Sequence, residues 1–151
     1  MTLNLVVDNS GSLFEGGRRF VARTAVRQIL YDIQHRYTDV DVNVYFLSQT
    51  MERASWSFGD DVPDRILNPS RGMNIDAFLA ETEVVNGHTI LITDFCFDRK
   101  TSKKIRDWME SRTTAFARAV ALGEVGMQKS WAGVFEVVQL DGLLEGFIVQ
   151  D

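Results

Sequence analysis

Five consecutive residues, Asp8-Asn9-Ser10-Gly11-Ser12, hold the densest chemistry in the chain. They set a carboxylate and two hydroxyls at alternate positions of a turn in which Gly11 permits a sharp backbone. Three hard oxygen side chains converging on one spot suit a divalent cation such as Mg²⁺, which takes oxygen ligands in octahedral geometry and keeps several waters. A second carboxylate, Asp94, follows the apolar run Ile90-Leu91-Ile92 and comes beside Asp8 if the two segments pair as parallel strands. The same residues also have a purely structural use. Asp8 would cap a turn, and Ser10 and Ser12 would accept from helix N-terminal amides.

The elements that must position these groups follow from apolar periodicity. Residues 3–8 form a short apolar run closed by polar and glycine residues, the pattern of a buried strand. Over 15–37, Ala22, Val26, Ile29, Leu30, Ile33 and Tyr37 recur at steps of three and four, which predicts a helix with one apolar face. Arg19, Arg23 and Arg27 fall on another stripe, either a solvated face or an anionic docking surface. A second strand is expected over 41–47 and a third, at an edge and antiparallel, over 54–58. A short helix is expected over 76–83, with Asn74 as its cap. Residues 88–94 suit a strand covered on both faces, and 102–112 a helix carrying Ile105, Trp108 and Met109 on one side. Residues 115–122 fit either helix or strand, and Gly123 and Gly126 just beyond favour a strand. A further strand over 134–138 and a closing helix with Leu140, Leu143, Leu144 and Phe147 complete the pattern. Strands alternating with helices predict an α/β fold: a three-layer open sheet of about six mostly parallel strands with helices on both faces. In such sheets ligands bind beyond the carboxyl ends of the strands, where Asp8 and Asp94 fall.

Composition bounds the classes. With 151 residues, a single domain over 1–151 is expected. Sixteen Lys and Arg against 21 Asp and Glu leave a net charge of −5, which argues against a nucleic-acid partner. No apolar run reaches the roughly 18 residues of a membrane helix, and residues 1–7 are too short for a signal peptide. The single cysteine, Cys96, cannot form an internal disulfide, so a reducing, cytoplasmic location is expected, with Cys96 as a buried small residue rather than a nucleophile.

The residues around Asp8 resemble a known motif. Asp8-Asn9-Ser10-Gly11-Ser12 after a strand matches the D-x-S-x-S signature of von Willebrand factor A-type (integrin I-like) domains. Arg71-Gly72-Met73-Asn74-Ile75-Asp76-Ala77-Phe78-Leu79 is similar to that family's Gly-Gly-Thr-Asn-Ile-x-x-Ala-Leu segment, and Ile90-Leu91-Ile92-Thr93-Asp94-Phe95 to its Leu-Leu-Thr-Asp-Gly strand end. Arg118-Ala119-Val120-Ala121-Leu122-Gly123 and Gly133-Val134-Phe135-Glu136-Val137 resemble its fifth and sixth strands, in the right order. The resemblance implies a metal-ion-dependent adhesion site for Mg²⁺ or Mn²⁺. Ser10 and Ser12 would be direct ligands, with Asp8 and Asp94 acting through metal-bound water. The family's threonine ligand aligns with Met73, a poor donor for a hard cation, and the glycine after the second aspartate is Phe95. Asn74, shifted by one residue, is the alternative oxygen donor. It also implies a protein partner that presents an acidic residue to the metal, within a multi-protein assembly, with an AAA+ ATPase as one such partner. A degenerate site would leave a metal-independent scaffold.

Enzymatic readings compete less well. A magnesium-dependent phosphatase of the haloacid-dehalogenase type needs a general-acid aspartate two residues after the first, where Ser10 stands. His35 lies roughly 30 Å along a helix from the Asp8 loop, and His88 about 20 Å along a strand from its end, so neither can serve Ser10 or Ser12 as a base. Gly17 replaces the lysine of a phosphate-binding loop, and one cysteine with two distant histidines makes zinc improbable. The residues therefore point to a binding module rather than an enzyme. Asp76 reads as a first-turn helix acid, Asp98 as a loop acid near the same edge, and Trp56, Trp108 and Trp131 as core or edge cover.

Overall fold

The computed structural model describes residues 2–36, 39–70, 72–111, 117–122 and 136–138. Strands β1 (Thr2–Asp8), β2 (Asp41–Leu47), β3 (Met51–Arg53), β4 (His88–Thr93), β5 (Ala117–Ala121) and β6 (Glu136–Val138) hydrogen-bond in the order β3-β2-β1-β4-β5-β6. β3 runs antiparallel to β2 and the other pairs are parallel, so the chain is an α/β fold on a mixed sheet. Helix α1 (Arg18–Arg36) lies on one face; α2 (Ile75–Leu79), α3 (Thr82–Val85) and α4 (Arg99–Ser111) lie on the other.

Alternation along the strands divides the core in two. Leu3, Leu5, Val7, Val44, Phe46, Ile90 and Ile92 meet Ala22, Val26, Ile29 and Ile33 of α1. Val6, Tyr45, Leu47 and Leu91 meet Ile75, Phe78, Val84, Ile105 and Trp108 on the opposite side. With both faces covered, these strands carry apolar residues at consecutive positions, as in Leu5-Val6-Val7 and Ile90-Leu91-Ile92. Among the described residues, no helix is long and apolar enough to cross a membrane.

Several boundaries differ from those read in the sequence. The helix expected over 15–37 begins as a 3-10 segment (Gly11–Gly17) that breaks at Glu15 and Gly16, and α1 starts only at Arg18. Gly16 and Gly17 both take the left-handed conformation (φ 59° and 70°), which re-aims the chain before the helix. The third strand sits at 51–53, not at 54–58. A tight turn with Ser48 N–H donating to Thr50 O (3.0 Å) sets Leu47 opposite Met51 and fixes the register. Residues 54–58 instead form a loop, with Trp56 packed edge-on to Phe58 and its Nε1 donating to Asp60 O (3.1 Å). The single helix expected over 76–83 is two, broken at Glu81 (ψ 89°). The closing helix around Leu140–Phe147 and the cover role of Trp131 lie outside the described residues, as do positions 134 and 135 of the expected sixth strand.

Short α3 is held by side chains that take its carbonyls. Asn4 Nδ2 donates to Glu83 O (3.1 Å), Thr89 Oγ1 to Val84 O (2.7 Å) and Trp108 Nε1 to Val85 O (2.9 Å). Gly87 completes this turn into β4, where an added Cβ would fall 2.5 Å from Glu83 O and 2.8 Å from Asn4 Nδ2. Backbone cannot yield as a flexible side chain does, so Gly87→Ala should cost about 1–3 kcal/mol, the usual range for overpacking. Urea denaturation checks this; wild-type stability would show that the turn opens without loss.

Candidate functional site at the carboxyl edge of the sheet

Parallel pairing of β1 with β4, with Val7 opposite Ile92, delivers Asp8 and Asp94 to neighbouring strand ends. Both are buried, at 2% and 1% exposure, although the edge itself opens to solvent. Asp8 Oδ1 accepts from Ser10 N–H (3.0 Å) and Oδ2 from Thr93 Oγ1 (2.7 Å). Asp94 Oδ1 accepts from Cys96 N–H (3.0 Å) and Oδ2 from Arg18 Nη1 (3.3 Å). Burial lifts the Asp8 carboxyl from its ordinary 3.8 to about 6; the bonds from Ser10 and Thr93 oppose this, and the neighbouring Asp94 carboxylate adds to it.

Ser10 and Ser12 stand in front of these acids, their hydroxyl oxygens 3.4 Å apart. The loop that carries them is pinned from both sides: Asn9 N–H donates to Leu47 O and Ser70 N–H to Asn9 O, both at 2.8 Å. Ser10, Ser12, Met73, Cys96, Asp98 and Thr101 border an open groove of about 330 Å³. Four of the five residues proposed as ligands from the sequence, Asp8, Ser10, Ser12 and Asp94, are thus brought together. Asn74 is used differently: its side-chain oxygen accepts from Asp76 N–H (3.2 Å) and caps α2, the cap role expected of it. Met73 borders the groove and also packs against the apolar core.

Spacing and chemistry of the donors fit a divalent ion in part. Adjacent oxygens of an octahedral Mg²⁺ shell lie roughly 3 Å apart for bonds of about 2.1 Å, close to the 3.4 Å between the two serine oxygens. Among the described residues, no group of three His, Cys, Asp or Glu converges as a metal cage. Retention of an ion would rest on hydroxyls and water, with the carboxylates behind them.

Other residues of the edge have settled roles. Phe95 holds the left-handed conformation (φ 59°) at the position where the resembling family has glycine. Burial of its ring, at 3% exposure, offsets the backbone cost for a bulky residue. Cys96 is exposed, not buried as the sequence suggested, because the turn after Asp94 carries it to the groove mouth. Partial burial and the Asp94 charge push its thiol up, away from nucleophile character. Asp98 caps α4 through Thr101 N–H (2.7 Å), and Asp76 pairs with Lys104. His35 stacks on Tyr31 near the end of α1, and His88 opens β4, both remote from the carboxyl edge.

Sequence reasoning missed Arg18. It considered the Arg19, Arg23 and Arg27 stripe, of which Arg27 is tied up by Asp61 through two 3.0 Å bonds. A signal was present: Arg18 and Arg19 open a helix whose first turn carries no acid. Cations are unfavourable at that end, so a tertiary partner was needed to hold one there.

No protein-family model matches the sequence, and no curated protein matches it. Solved structures do. A von Willebrand factor type A protein from Catenulispora acidiphila superposes with a TM-score of 0.56 at 16% identity, over 97% of this chain and 40% of that one. The manganese-loaded TRAP protein of Plasmodium vivax gives 0.67 at 12% identity, over 100% of this chain and 74% of that one. The pilus adhesin SpaC of Lactobacillus rhamnosus GG gives 0.60 at 13% identity, over 97% and 29%. The chain therefore has the fold of a von Willebrand factor A-type domain. It spans about 40% of the length of the Catenulispora protein.

The raised Asp8 carboxyl makes stability depend on pH. Its contribution is complete below the unfolded value of 3.8 and is lost as pH rises through about 6. In EDTA, the wild-type chain should lose on the order of 3 kcal/mol between pH 4 and pH 7 relative to Asp8→Asn, whose side chain stays neutral. Melts of both chains across this range check it; a constant difference between them would show that Asp8 titrates normally.

Proposed function

We propose that residues 1–151 form one von Willebrand factor A-like domain, with a sheet of about six mostly parallel strands, acting as a non-catalytic protein-interaction module. Its groove at the carboxyl edge holds Mg²⁺ or Mn²⁺ and receives an acidic residue of a partner protein. The observation that carries this reading is the burial of Asp8 and Asp94 side by side, with Ser10 and Ser12 next to them bordering an open groove. Ser10 and Ser12 would hold the ion directly, and Asp8 and Asp94 would orient its waters through their remaining lone pairs. A bound ion supplies an open coordination position for a carboxylate. Thr93 and the amides of Ser10 and Cys96 keep the two acids aimed, so the site is organised before anything binds.

Two of the similar structures support a role in protein contact, since SpaC is a pilus adhesin and the other is the PilB minor pilin of Streptococcus sanguinis. The manganese-loaded state of TRAP supports the choice of cation. An AAA+ ATPase is one partner class implied by the sequence resemblance, and the lone Cys96 favours a cytoplasmic setting. A metal-independent scaffold is the second reading. Met73 at the third ligand position and the engagement of Asn74 as a helix cap favour it. A phosphatase-like hydrolase is weaker, because Ser10 stands where that chemistry needs an acid.

Thermal melts in EDTA, Mg²⁺ and Mn²⁺ separate these readings. An ion that binds only the folded chain adds about 2.7 kcal/mol at a hundredfold excess over Kd. Stabilisation is expected in the wild-type chain and should be lost in Ser12→Ala, which removes a direct ligand. Absence of any shift at millimolar cation, with no heat of binding by calorimetry, would leave the metal-independent scaffold. Metal-dependent phosphate release that Asp8→Asn abolishes would establish the hydrolase instead.

A further inference from the structure

We propose that Arg18 is the resident counter-cation of this edge: without metal, its guanidinium supplies at Asp94 the positive charge a divalent ion would bring, and the two compete for that carboxylate. This rests on the cation reading above and adds a regulator to the same site.

The Asp94 side chain has no exposed surface, and a buried carboxylate is costly unless paired. Asp8 adds a second acid at its side. Among the described residues, Arg18 is the cation that reaches Asp94. Its side chain is 16% exposed, and the same Nη1 lies 3.7 Å from Sγ of Cys96, a residue of the groove wall.

The contact is built to exchange. It uses one nitrogen at 3.3 Å, longer than the roughly 2.7–2.9 Å of a strong charge-assisted bond. Arg27 and Asp61, by comparison, form a two-bond clamp at 3.0 Å. The same Nη1 stands 3.7 Å from Glu15 Oε2, on a side chain 77% exposed, so a guanidinium leaving Asp94 has an anionic landing place three residues away. Gly16 and Gly17 lie between Glu15 and Arg18 in the left-handed conformation that places this helix start at the edge. The Met73 departure acts in the same direction, because fewer hard ligands make the site easier for an internal cation to occupy.

Mn²⁺ titration calorimetry on the wild-type chain, Arg18→Gln and Arg18→Lys tests the proposal, with melts of each in EDTA. Gln keeps a donor for Asp94 but no charge. It should lower the metal-free melting temperature and tighten Mn²⁺ binding by about tenfold or more, since a like charge beside the dication is gone. Lys, which keeps the charge, should leave binding weak. Should Arg18→Gln fail to fold, the wild-type chain serves by NMR: saturating Mg²⁺ should shift the Arg18 guanidinium nitrogen signals and speed their proton exchange with water. Equal Mn²⁺ affinity in wild type and Arg18→Gln, or guanidinium signals indifferent to Mg²⁺ that binds, overturns the competition alone. Mn²⁺ binding to neither chain overturns the competition and the cation reading together.

Discussion

Two carboxylates buried at the ends of adjacent parallel strands are the constraint around which the carboxyl edge is arranged. Asp8 and Asp94 arrive together because β1 and β4 pair in register, and neither can be left without partners in so dry a place. Every neighbouring feature answers that demand. Thr93 gives its hydroxyl, Ser10 and Cys96 turn their amides inward, and Arg18 brings a charge from the start of α1. Phe95 accepts a left-handed backbone between Asp94 and Cys96, with its amide on Thr93 Oγ1 at 3.1 Å.

That demand also explains how the loop and helix are joined. The kink at Glu15 and Gly16 separates a 3-10 turn, which presents Ser12, from α1, which presents Arg18. The groove in front is walled by residues with two employments. Met73 packs on the core and borders the groove, and Asp98 caps α4 at its rim. Such a wall resists change, because altering the groove disturbs helix capping or packing as well.

Likeness to other von Willebrand factor A-type structures at 12–16% identity has a simple physical basis. A sheet covered on both faces asks only for apolar residues of suitable size at alternating depths, a condition many sequences meet. Site chemistry tolerates far less. Met73 and Arg18 lie at the edge rather than within the paired strands, so the layers can be shared while the groups at the edge differ.

The sequence by itself determined the apolar strands, the covered sheet between helices, and the grouping of Asp8, Ser10, Ser12 and Asp94 at one edge. Asp8, Ser10 and Ser12 were readable because they are close in the chain, and Asp94 because it ends a run whose apolar continuity announces a buried strand. Asn74 was readable as a cap for the same local reason. The third strand was misplaced because a tight turn and the pairing register fixed it at 51–53, where only Met51 is apolar, while the aromatic residues of 54–58 packed on each other. Which acid Arg18 meets was decided by tertiary structure. Its partner lies 76 positions away, and only the parallel pairing of β1 with β4 and the glycine break before α1 bring the two charges within reach. Local patterns record which faces must be buried; which charges meet once they are buried is set by the fold.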